Sequence, residues 1–411
     1  MQKNNRKIGI VKLADLDMTI LLLVYFVLAI EYDLYTFFSF GSIISGTMLT
    51  MIEIVLLLFV IVTAQKKVVN QYILYVFLFC GIAATYFFAP ECRELLRELF
   101  FEGSSLKKII IFPLAFQCIK EPERFENSLY KLCIVEGYIH IICNAVWGYS
   151  YTEWGVFDYM TYGLALLIPT CIVMQRVFAK PSKWNILTFI IFEINIIVYG
   201  HRGALLVTAA MMLIFFVKYI KVEKKVLISL FGIAFLVIVF FFQNQLIEFV
   251  LNLMESLGLE SRTLEKLLMG DITNDSERNT IWAILISRIL DNFPFGAGIG
   301  ADRLILKKTM RDGLYAHNFI IEILLNYGIL LGVVVVGWIL KMCYDTLFKI
   351  KDTAWSQLII PFLIPSVITL LTSTSIYQYS FFWVAAGLYY CYFGRGRDGE
   401  KMRHFKIKFK K

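Results

Sequence analysis

The sequence has little charge and no paired cysteines. Only 18% of its 411 residues are Asp, Glu, Lys or Arg, whereas a soluble protein carries about a quarter. The 8 cysteines are scattered, mostly within apolar runs, and none forms a Cys-x-x-Cys pair, so zinc and iron–sulfur spacings are excluded. Because 59% of the residues are hydrophobic, an ordinary soluble domain is excluded as well.

Long apolar runs recur along the whole chain and predict an all-α, polytopic membrane protein with about 12 transmembrane helices. The first run follows several basic residues, as in a signal peptide, but no small-residue cleavage site follows, so we predict an uncleaved span. The predicted spans are 14–31, 36–62, 70–89, 106–119, 129–147, 159–175, 184–200, 203–219, 226–246, 317–341, 355–373 and 376–393.

The distribution of Lys and Arg predicts the orientation, because basic connections stay in the cytoplasm. With both termini inside, the inner connections are consistently basic, and they end in the basic tail 395–411. After a membrane span, such a tail indicates contact with anionic membrane lipid rather than with nucleic acid. We therefore expect a single integral membrane domain, 1–411, in the cytoplasmic membrane.

One large extracytoplasmic loop, 247–316, is predicted between spans nine and ten. Its apolar spacing predicts helix within 247–268 and again over 280–290, and the Pro- and Gly-rich segment 292–300 ends the second helix. A further segment, 91–101, has one apolar face and predicts a helix lying flat on the outer surface.

The end of this loop holds one of only 4 histidines at a predicted membrane–water boundary. His317 opens the tenth span, with Asn318 and Glu322 on the following turns. A neutral imidazole can take a proton from a hydroxyl, and a protonated one can steady a phosphate. The alternative interpretation is a helix-capping or interfacial histidine.

Two arginines are the main candidates for binding an anion. Arg202 lies at a predicted outer tip between two apolar spans, where its planar fork suits phosphate oxygens; alternatively, it extends towards lipid headgroups. Arg278 lies at the start of the predicted loop helix, near free helix N–H groups; alternatively, it is a solvated charge paired with a neighbouring acid. Arg288 and Arg303 are weaker candidates.

The glycine run Gly296-Ala-Gly298-Ile-Gly300 does not predict nucleotide binding. It lacks the strand–loop–helix context and the Lys-Ser/Thr pair of a phosphate-binding loop. We interpret it as backbone flexibility that lets the loop fold back onto the membrane surface.

Three acids, Glu53, Glu136 and Glu193, lie within apolar runs. Acids inside the membrane commonly mark transport pathways. They leave open a non-enzymatic transporter or flippase of lipid-linked sugars.

The order of three short motifs resembles the superfamily of O-antigen ligases and O-antigen or capsule polymerases, which are bacterial membrane glycosyltransferases. The first motif is Arg202-Gly-Ala-Leu-Leu206. The second is Arg278-Asn-Thr-Ile-Trp282, followed by Pro294-Phe-Gly-Ala-Gly298. The third is His317-Asn318 with Glu322 and then Gly328-Ile329. The motifs occupy about residues 200–330, and the resemblance in topology covers the whole chain.

This resemblance implies a GT-C-like fold and an undecaprenyl-diphosphate-linked oligosaccharide donor at the outer face of the membrane. Arg202 and Arg278 would neutralise the diphosphate, and His317 would bind or deprotonate the acceptor hydroxyl. Further substrate contacts are expected from Asn318, Glu322, Arg288 and Arg303. Because the loop has no Asp-x-Asp motif, we expect transfer without a metal or another cofactor.

The motifs do not separate a polymerase, which extends lipid-linked repeat units, from a ligase, which transfers polymer to lipid A-core. We favour the polymerase, because such enzymes are diverse and commonly of this length. A flippase and a chain-length regulator are the partners that this role implies.

Overall fold

All regular elements in the described part of the chain are helices. The computed structural model describes residues 15–31, 46–63, 72–102, 105–147, 159–200, 202–221, 244–245, 247–256, 264–265, 268–269 and 277–408. We label the main helices α1 (15–31), α2 (Gly46–Thr63), α3 (Tyr72–Phe88), α4 (Arg93–Arg97), α5 (Phe112–Phe116), α6 (Pro122–Trp147), α7 (Tyr159–Ala179), α8 (Lys183–Tyr199), α9 (Arg202–Tyr219), α10 (Arg278–Asp291), α11 (Ala301–Thr309), α12 (Phe319–Phe348), α13 (Thr353–Thr372) and α14 (Ser380–Lys408).

The predicted all-α membrane class is confirmed. Among the described helices, five are long and apolar enough to cross a membrane, namely Pro122–Val146, Thr161–Ala179, Arg202–Tyr219, Phe319–Phe348 and Thr353–Thr372. Most of the predicted ninth span, 226–246, lies outside the described residues. The total of twelve spans and the GT-C-like arrangement therefore stay predictions.

The chain divides into two compact units. The first comprises Met1–Leu28, Gly41–Leu129 and Glu277–Lys411, and the second comprises Ala29–Phe40 and Tyr130–Ser276. The boundary at Glu277 divides the predicted outer loop, so its last part, with α10 and α11, belongs to the first unit.

The centre of the first unit is α13, which is buried on every side from Ala354 to Val367. An all-round apolar helix of this kind is a core element rather than an amphipathic surface helix. It packs against α12 and α14. Helix α14 also approaches α5 so closely that a Cβ at Gly387 would lie 2.7 Å from the carbonyl oxygen of Pro113.

The predicted fourth span, 106–119, is a broken helical segment. A π-helical turn at Lys107–Ile111 leads into α5, and the segment ends in a turn at Gln117. Lys107 forms a buried ion pair with Glu53 of α2. The pair explains how two charges persist in an apolar layer, because buried charges need partners.

A separate apolar cluster of the first unit joins α10 and α11 to α12. Helix α10 matches the helix predicted over 280–290, and it buries Ile281, Leu285 and Ile289 on one face. These side chains pack with Leu306 of α11 and Leu325 of α12. The predicted helical segment 91–101 is also helical and buries Leu96, Leu99 and Phe100.

Helix α12 is interrupted at Gly328, whose backbone (φ 76°, ψ 171°) is not helical. The glycine-rich segment before α11 fills the break, since the Ala297 N–H donates to the Leu325 carbonyl at 2.8 Å. A Cβ on Gly328 would lie 2.4 Å from the Pro294 carbonyl oxygen, and one on Gly296 would lie 2.3 Å from the Asn326 carbonyl oxygen. These glycines therefore permit close packing rather than the flexibility expected from the sequence.

The second unit is built on α6 to α9. Helix α7 packs against α8 and α9, and a Cβ at Gly137 of α6 would overlap the ring of Phe192 of α8. Two of the intramembrane acids have local contacts here. The Glu193 carboxylate accepts a hydrogen bond from Thr208 at 2.8 Å, and Glu136 lies 4.0 Å from His140 one turn later.

Candidate functional site

His317 lies in the short link between α11 and α12, in the left-handed region with φ at 51°. Non-glycine residues adopt this conformation only when their surroundings hold them there. Ala316 supplies much of that restraint. Its carbonyl accepts the indole N–H of Trp282 at 2.9 Å, and its N–H donates to Asp302 Oδ2 at 3.1 Å. The peptide before His317 is thus held by α10 on one side and α11 on the other.

The imidazole is held by two groups. Its ring lies against the ring of Tyr315, with centroids 3.8 Å apart and planes at 35°. Its Nδ1 lies 3.4 Å from the carbonyl oxygen of Ser373, and the Tyr315 hydroxyl donates to the same oxygen at 2.6 Å. A carbonyl accepts but does not donate, so the network assigns the proton to Nδ1. No described residue hydrogen-bonds Nε2, whose lone pair is left available.

The surroundings keep this imidazole uncharged. Burial, followed by the positive charge of Arg278, lowers the pKa of His317 from 6.5 to about 4, although the Ser373 carbonyl raises it in part. Arg303 lowers it further. Burial and Glu322 raise the pKa of Tyr315 to about 12, so its hydroxyl keeps its proton at neutral pH. His317 is therefore a neutral acceptor at pH 7.

Arg278 is the first residue of α10 and is half-buried. It lies three and seven residues before Ile281 and Leu285, so it shares the helix face that packs into the unit. Its charge acts on both His317 and Tyr315. The structure thus brings this predicted arginine into the electrostatic neighbourhood of the predicted histidine.

Asn318 and Glu322 follow His317 at the start of α12. Asn318 is the N-cap of α12, and its side-chain oxygen accepts the N–H groups of Ile320 and Ile321. Its amide nitrogen has no hydrogen-bond partner among the residues that the structure describes. Glu322 is 1% exposed and accepts hydrogen bonds from the Ser375 hydroxyl at 2.6 Å and the Ile376 N–H at 3.1 Å. A substrate contact of Glu322 would require it to leave these donors.

Arg303 of α11 lies near the Tyr315 ring of the same site. Its guanidinium carbon lies 5.8 Å from the centroid of the Tyr315 ring. Its two terminal nitrogens are buried and have no hydrogen-bond partner within the described chain. Asp302, immediately before it, is completely buried. Two arginines, Arg278 and Arg303, therefore act on one neutral histidine, while the buried acids Asp302 and Glu322 accept hydrogen bonds from Ala316 and Ser375.

The two other predicted arginines, Arg288 and Arg202, belong to the exposed side of α10 and to the second unit, respectively. Arg288 is 51% exposed on α10 and pairs with Asp291 at 3.5 Å. It lies ten residues after Arg278, or about 15 Å along the helix. Arg202 belongs to the second unit, where it is half-buried as the first residue of α9.

Several residues of the site carry no signal in the sequence. Three of them are ordinary polar residues, namely Ser373, Ser375 and Asp302. The two serines contact His317 and Glu322, which lie more than fifty positions earlier in the sequence. Tyr315 could have been suspected from its position two residues before His317. Among the described residues, no three His, Cys, Asp or Glu side chains are grouped as in a metal site.

Comparison with known proteins agrees with the sequence motifs. The family model described as O-antigen ligase matches residues 186–336, a range that holds Arg202, Arg278, Arg303, His317 and Glu322. No curated protein matches the chain.

Proposed function

We propose that this membrane protein is a glycosyltransferase acting on lipid-linked oligosaccharides, because the family model described as O-antigen ligase matches residues 186–336. More specifically, we propose a polymerase that joins undecaprenyl-diphosphate-linked repeat units at the outer face of the bacterial cytoplasmic membrane. The neutral imidazole of His317, with Nδ1 facing a carbonyl and Nε2 available, is the observation that carries this proposal.

The chemistry is a displacement at the anomeric carbon of the donor. The acceptor hydroxyl gives its proton to Nε2 of His317, and its oxygen forms the new bond to the anomeric carbon. The bond between that carbon and the phosphate oxygen breaks, and the lipid diphosphate leaves with the electron pair. Arg278 stabilises the charge that develops on the leaving group. The transfer as written needs no metal.

Arg202 supplies a second positive charge for the diphosphate in this proposal, as the resemblance implies. Guanidinium binds phosphate oxygens in a bidentate manner, which lysine cannot reproduce. Arg202→Lys should therefore lose transfer although the charge is kept. Lys218→Arg, at the other end of α9, is the control and should transfer normally. Equal activity of Arg202→Lys and the native protein would remove Arg202 from the proposal.

The main test uses purified protein in lipid nanodiscs with a synthetic lipid-linked repeat unit. His317→Gln and Arg278→Ala should each lower the transfer rate at least about 100-fold, the usual contribution of a general base or a charge-stabilising group. Arg288→Ala, an exposed arginine on the same helix, should be close to native. Normal product lengths from both site variants, at equal protein level, would overturn the proposal.

The acceptor separates the polymerase from the ligase. A polymerase elongates lipid-linked repeat units when they are the sole substrate. A ligase gives product only when lipid A-core is supplied with the polymer. Purified protein that joins polymer to lipid A-core and leaves repeat units unextended would assign the ligase function instead.

A transporter of lipid-linked sugars is the alternative from another functional class. The buried Lys107–Glu53 pair is the observation that keeps it open, because ion pairs inside membranes can mark pathways. Loss of lipid-linked sugar transport in Glu53→Gln, with His317→Gln transporting normally, would favour it. If the Lys107–Glu53 pair has only a structural role, both variants should leave transport unchanged.

A further inference from the structure

We propose that Glu322 does not contact the sugar but is a positioning residue, which fixes the proton of His317 on Nδ1 through the segment from Ser373 to Ile376. The inference rests on the proposed function for its catalytic consequence. Its structural part concerns only which imidazole nitrogen carries the proton, and this can be measured without any substrate.

The first step is the anchor between Glu322 and the link that follows α13. One carboxylate oxygen accepts the Ser375 hydroxyl at 2.6 Å, and the other accepts the Ile376 N–H at 3.1 Å. Glu322 is 1% exposed and Ser375 is fully buried. Both oxygens of the Glu322 side chain are thus already occupied by donors of this link. The carboxylate is thus a clamp on the chain between α13 and α14.

A second bond ties the same link to α12. The side-chain amide of Asn326, one turn after Glu322, donates to the Tyr377 hydroxyl at 3.1 Å. The link is therefore attached to two successive turns of the helix that His317 precedes. Its position relative to the imidazole is set by α12 itself.

The next step is the Ser373 carbonyl, which the clamp holds in place. Ser373 is the C-cap of α13, and the last carbonyls of a helix have no partner within the helix. Its oxygen instead accepts the Tyr315 hydroxyl and faces Nδ1 of His317. The negative end of the α13 dipole favours a donor at this point.

The last step is the tautomer. With the proton on Nε2, the Nδ1 lone pair would face the carbonyl oxygen at 3.4 Å and repel it. With the proton on Nδ1, the contact is attractive and Nε2 presents its lone pair, which is the form a general base needs. The charges that act on the imidazole are those of Arg278 of α10 and Arg303 of α11. These charges affect whether the ring is protonated, whereas the carbonyl selects the nitrogen that keeps the single proton.

The test is magic-angle-spinning ¹⁵N NMR of the full chain in lipid bilayers at pH 7, with labelled histidine imidazoles. The chain has only 4 histidines, and the His317 signals are those absent from His317→Gln. The native protein should show one protonated nitrogen, Nδ1, and one unprotonated nitrogen, Nε2. Ser375→Ala, which removes one hydroxyl from the clamp, should give a mixture of the two tautomers.

Ser366→Ala is the matched control for this variant. Ser366 is a fully buried serine of α13 whose hydroxyl has no hydrogen-bond partner among the described residues, so its loss should leave the His317 signals native. Glu322→Ala should scramble the tautomer more strongly than Ser375→Ala, and Glu322→Gln should restore the native form in part. Asp345→Ala, which removes another buried carboxylate of α12, controls for a general loss of packing. A native His317 tautomer in both Ser375→Ala and Glu322→Ala would overturn the proposal.

Transfer assays on the same variants separate positioning from binding. Ser375→Ala should lower kcat about tenfold with KM unchanged, because a misplaced proton reduces the competent fraction without weakening substrate binding. A raised KM with native kcat would assign Glu322 to substrate binding instead. If the spectra behave as expected but no lipid-linked sugar is transferred, positioning stands and the proposed function fails.

Discussion

At the scale of single residues, the protonation of His317 is the property most open to measurement. Its pKa is lowered to about 4, so the base form predominates at neutral pH and is lost only as the pH falls through about 4. We expect kcat/KM for sugar transfer to be flat from about pH 6 to 8 and to fall on the acid side with this pKa.

Arg278→Gln should shift the fall of kcat/KM on the acid side to higher pH. The variant removes the larger of the two positive charges that disfavour imidazolium, so the pKa of His317 rises towards its ordinary value of 6.5. Titration of the ¹⁵N signals of His317 measures the shift independently of the lowered rate. Arg288→Gln, exposed and about 15 Å further along α10, should titrate as the native protein does. If kcat/KM fell at the same acidic pH in both variants, this electrostatic account would be wrong.

The residue types and their spacing suggested His317, Arg278 and Asn318 as site residues, because a histidine after a glycine-rich loop and before an apolar run can lie at a membrane boundary; their roles stay predictions. The lowered pKa was not predictable from that position. It depends on burial, then on the positive charge of Arg278 of α10 and lastly on that of Arg303 of α11, and only the folded chain brings these groups near the imidazole. The contact of Ser373 with His317 was not predictable either, because it uses a backbone carbonyl, which every residue type has.

At the scale of elements, the interruption of α12 at Gly328 is the place where the glycine-rich segment before α11 packs against this helix. Gly328 has backbone angles that are essentially restricted to glycine, and an added Cβ would meet the Pro294 carbonyl at 2.4 Å. Gly328→Ala should therefore destabilise the protein by about 3 kcal/mol and detach the segment around Ala297.

Thermal unfolding in detergent provides the measurement for this variant. Gly337→Ala on the same helix is the matched control, because a Cβ at that position has open space and a helical backbone. Its melting temperature should be equal to or above that of the native protein, since alanine favours helix by about 1 kcal/mol over glycine. Similar melting of the two variants would show that the break tolerates a side chain.

Most helix ends were predictable within a few residues because charged or glycine-containing breaks bound each apolar run. The spans predicted at 184–200 and 355–373 correspond to Lys183–Tyr199 and Thr353–Thr372. The segment 106–119 differs because its apolar composition hides a π-helical turn and the Lys107–Glu53 pair. The break at Gly328 was not predictable either, because one glycine within an apolar run is compatible with a continuous helix.

At the scale of the whole molecule, the predicted orientation can be tested with cysteine labelling. Asp291 and Lys351 are both exposed and flank α12 on its two sides along the chain. In intact spheroplasts, a membrane-impermeant maleimide should label Asp291→Cys, because the loop is proposed to be extracytoplasmic. Lys351→Cys should react only after permeabilisation, because basic connections stay inside. The reverse pattern would invert the topology and place the histidine inside the cell.

The native cysteines set the background of that experiment. Seven of the eight are buried or partly buried, and Cys80 is exposed on α3, within a predicted span. The native chain should therefore react little with a water-soluble reagent. Strong labelling of the native protein would mean that α3 faces water.

The interruption of α12 also constrains how the nascent chain can enter the membrane. The Leu325 carbonyl accepts its hydrogen bond from Ala297, a residue that leaves the ribosome 28 positions earlier. An unsatisfied carbonyl costs several kcal/mol in a bilayer, so α12 cannot settle at its final depth before that upstream stretch is in place beside it. We therefore expect the placement of the segment around Ala297 and the insertion of α12 to be coupled during biosynthesis.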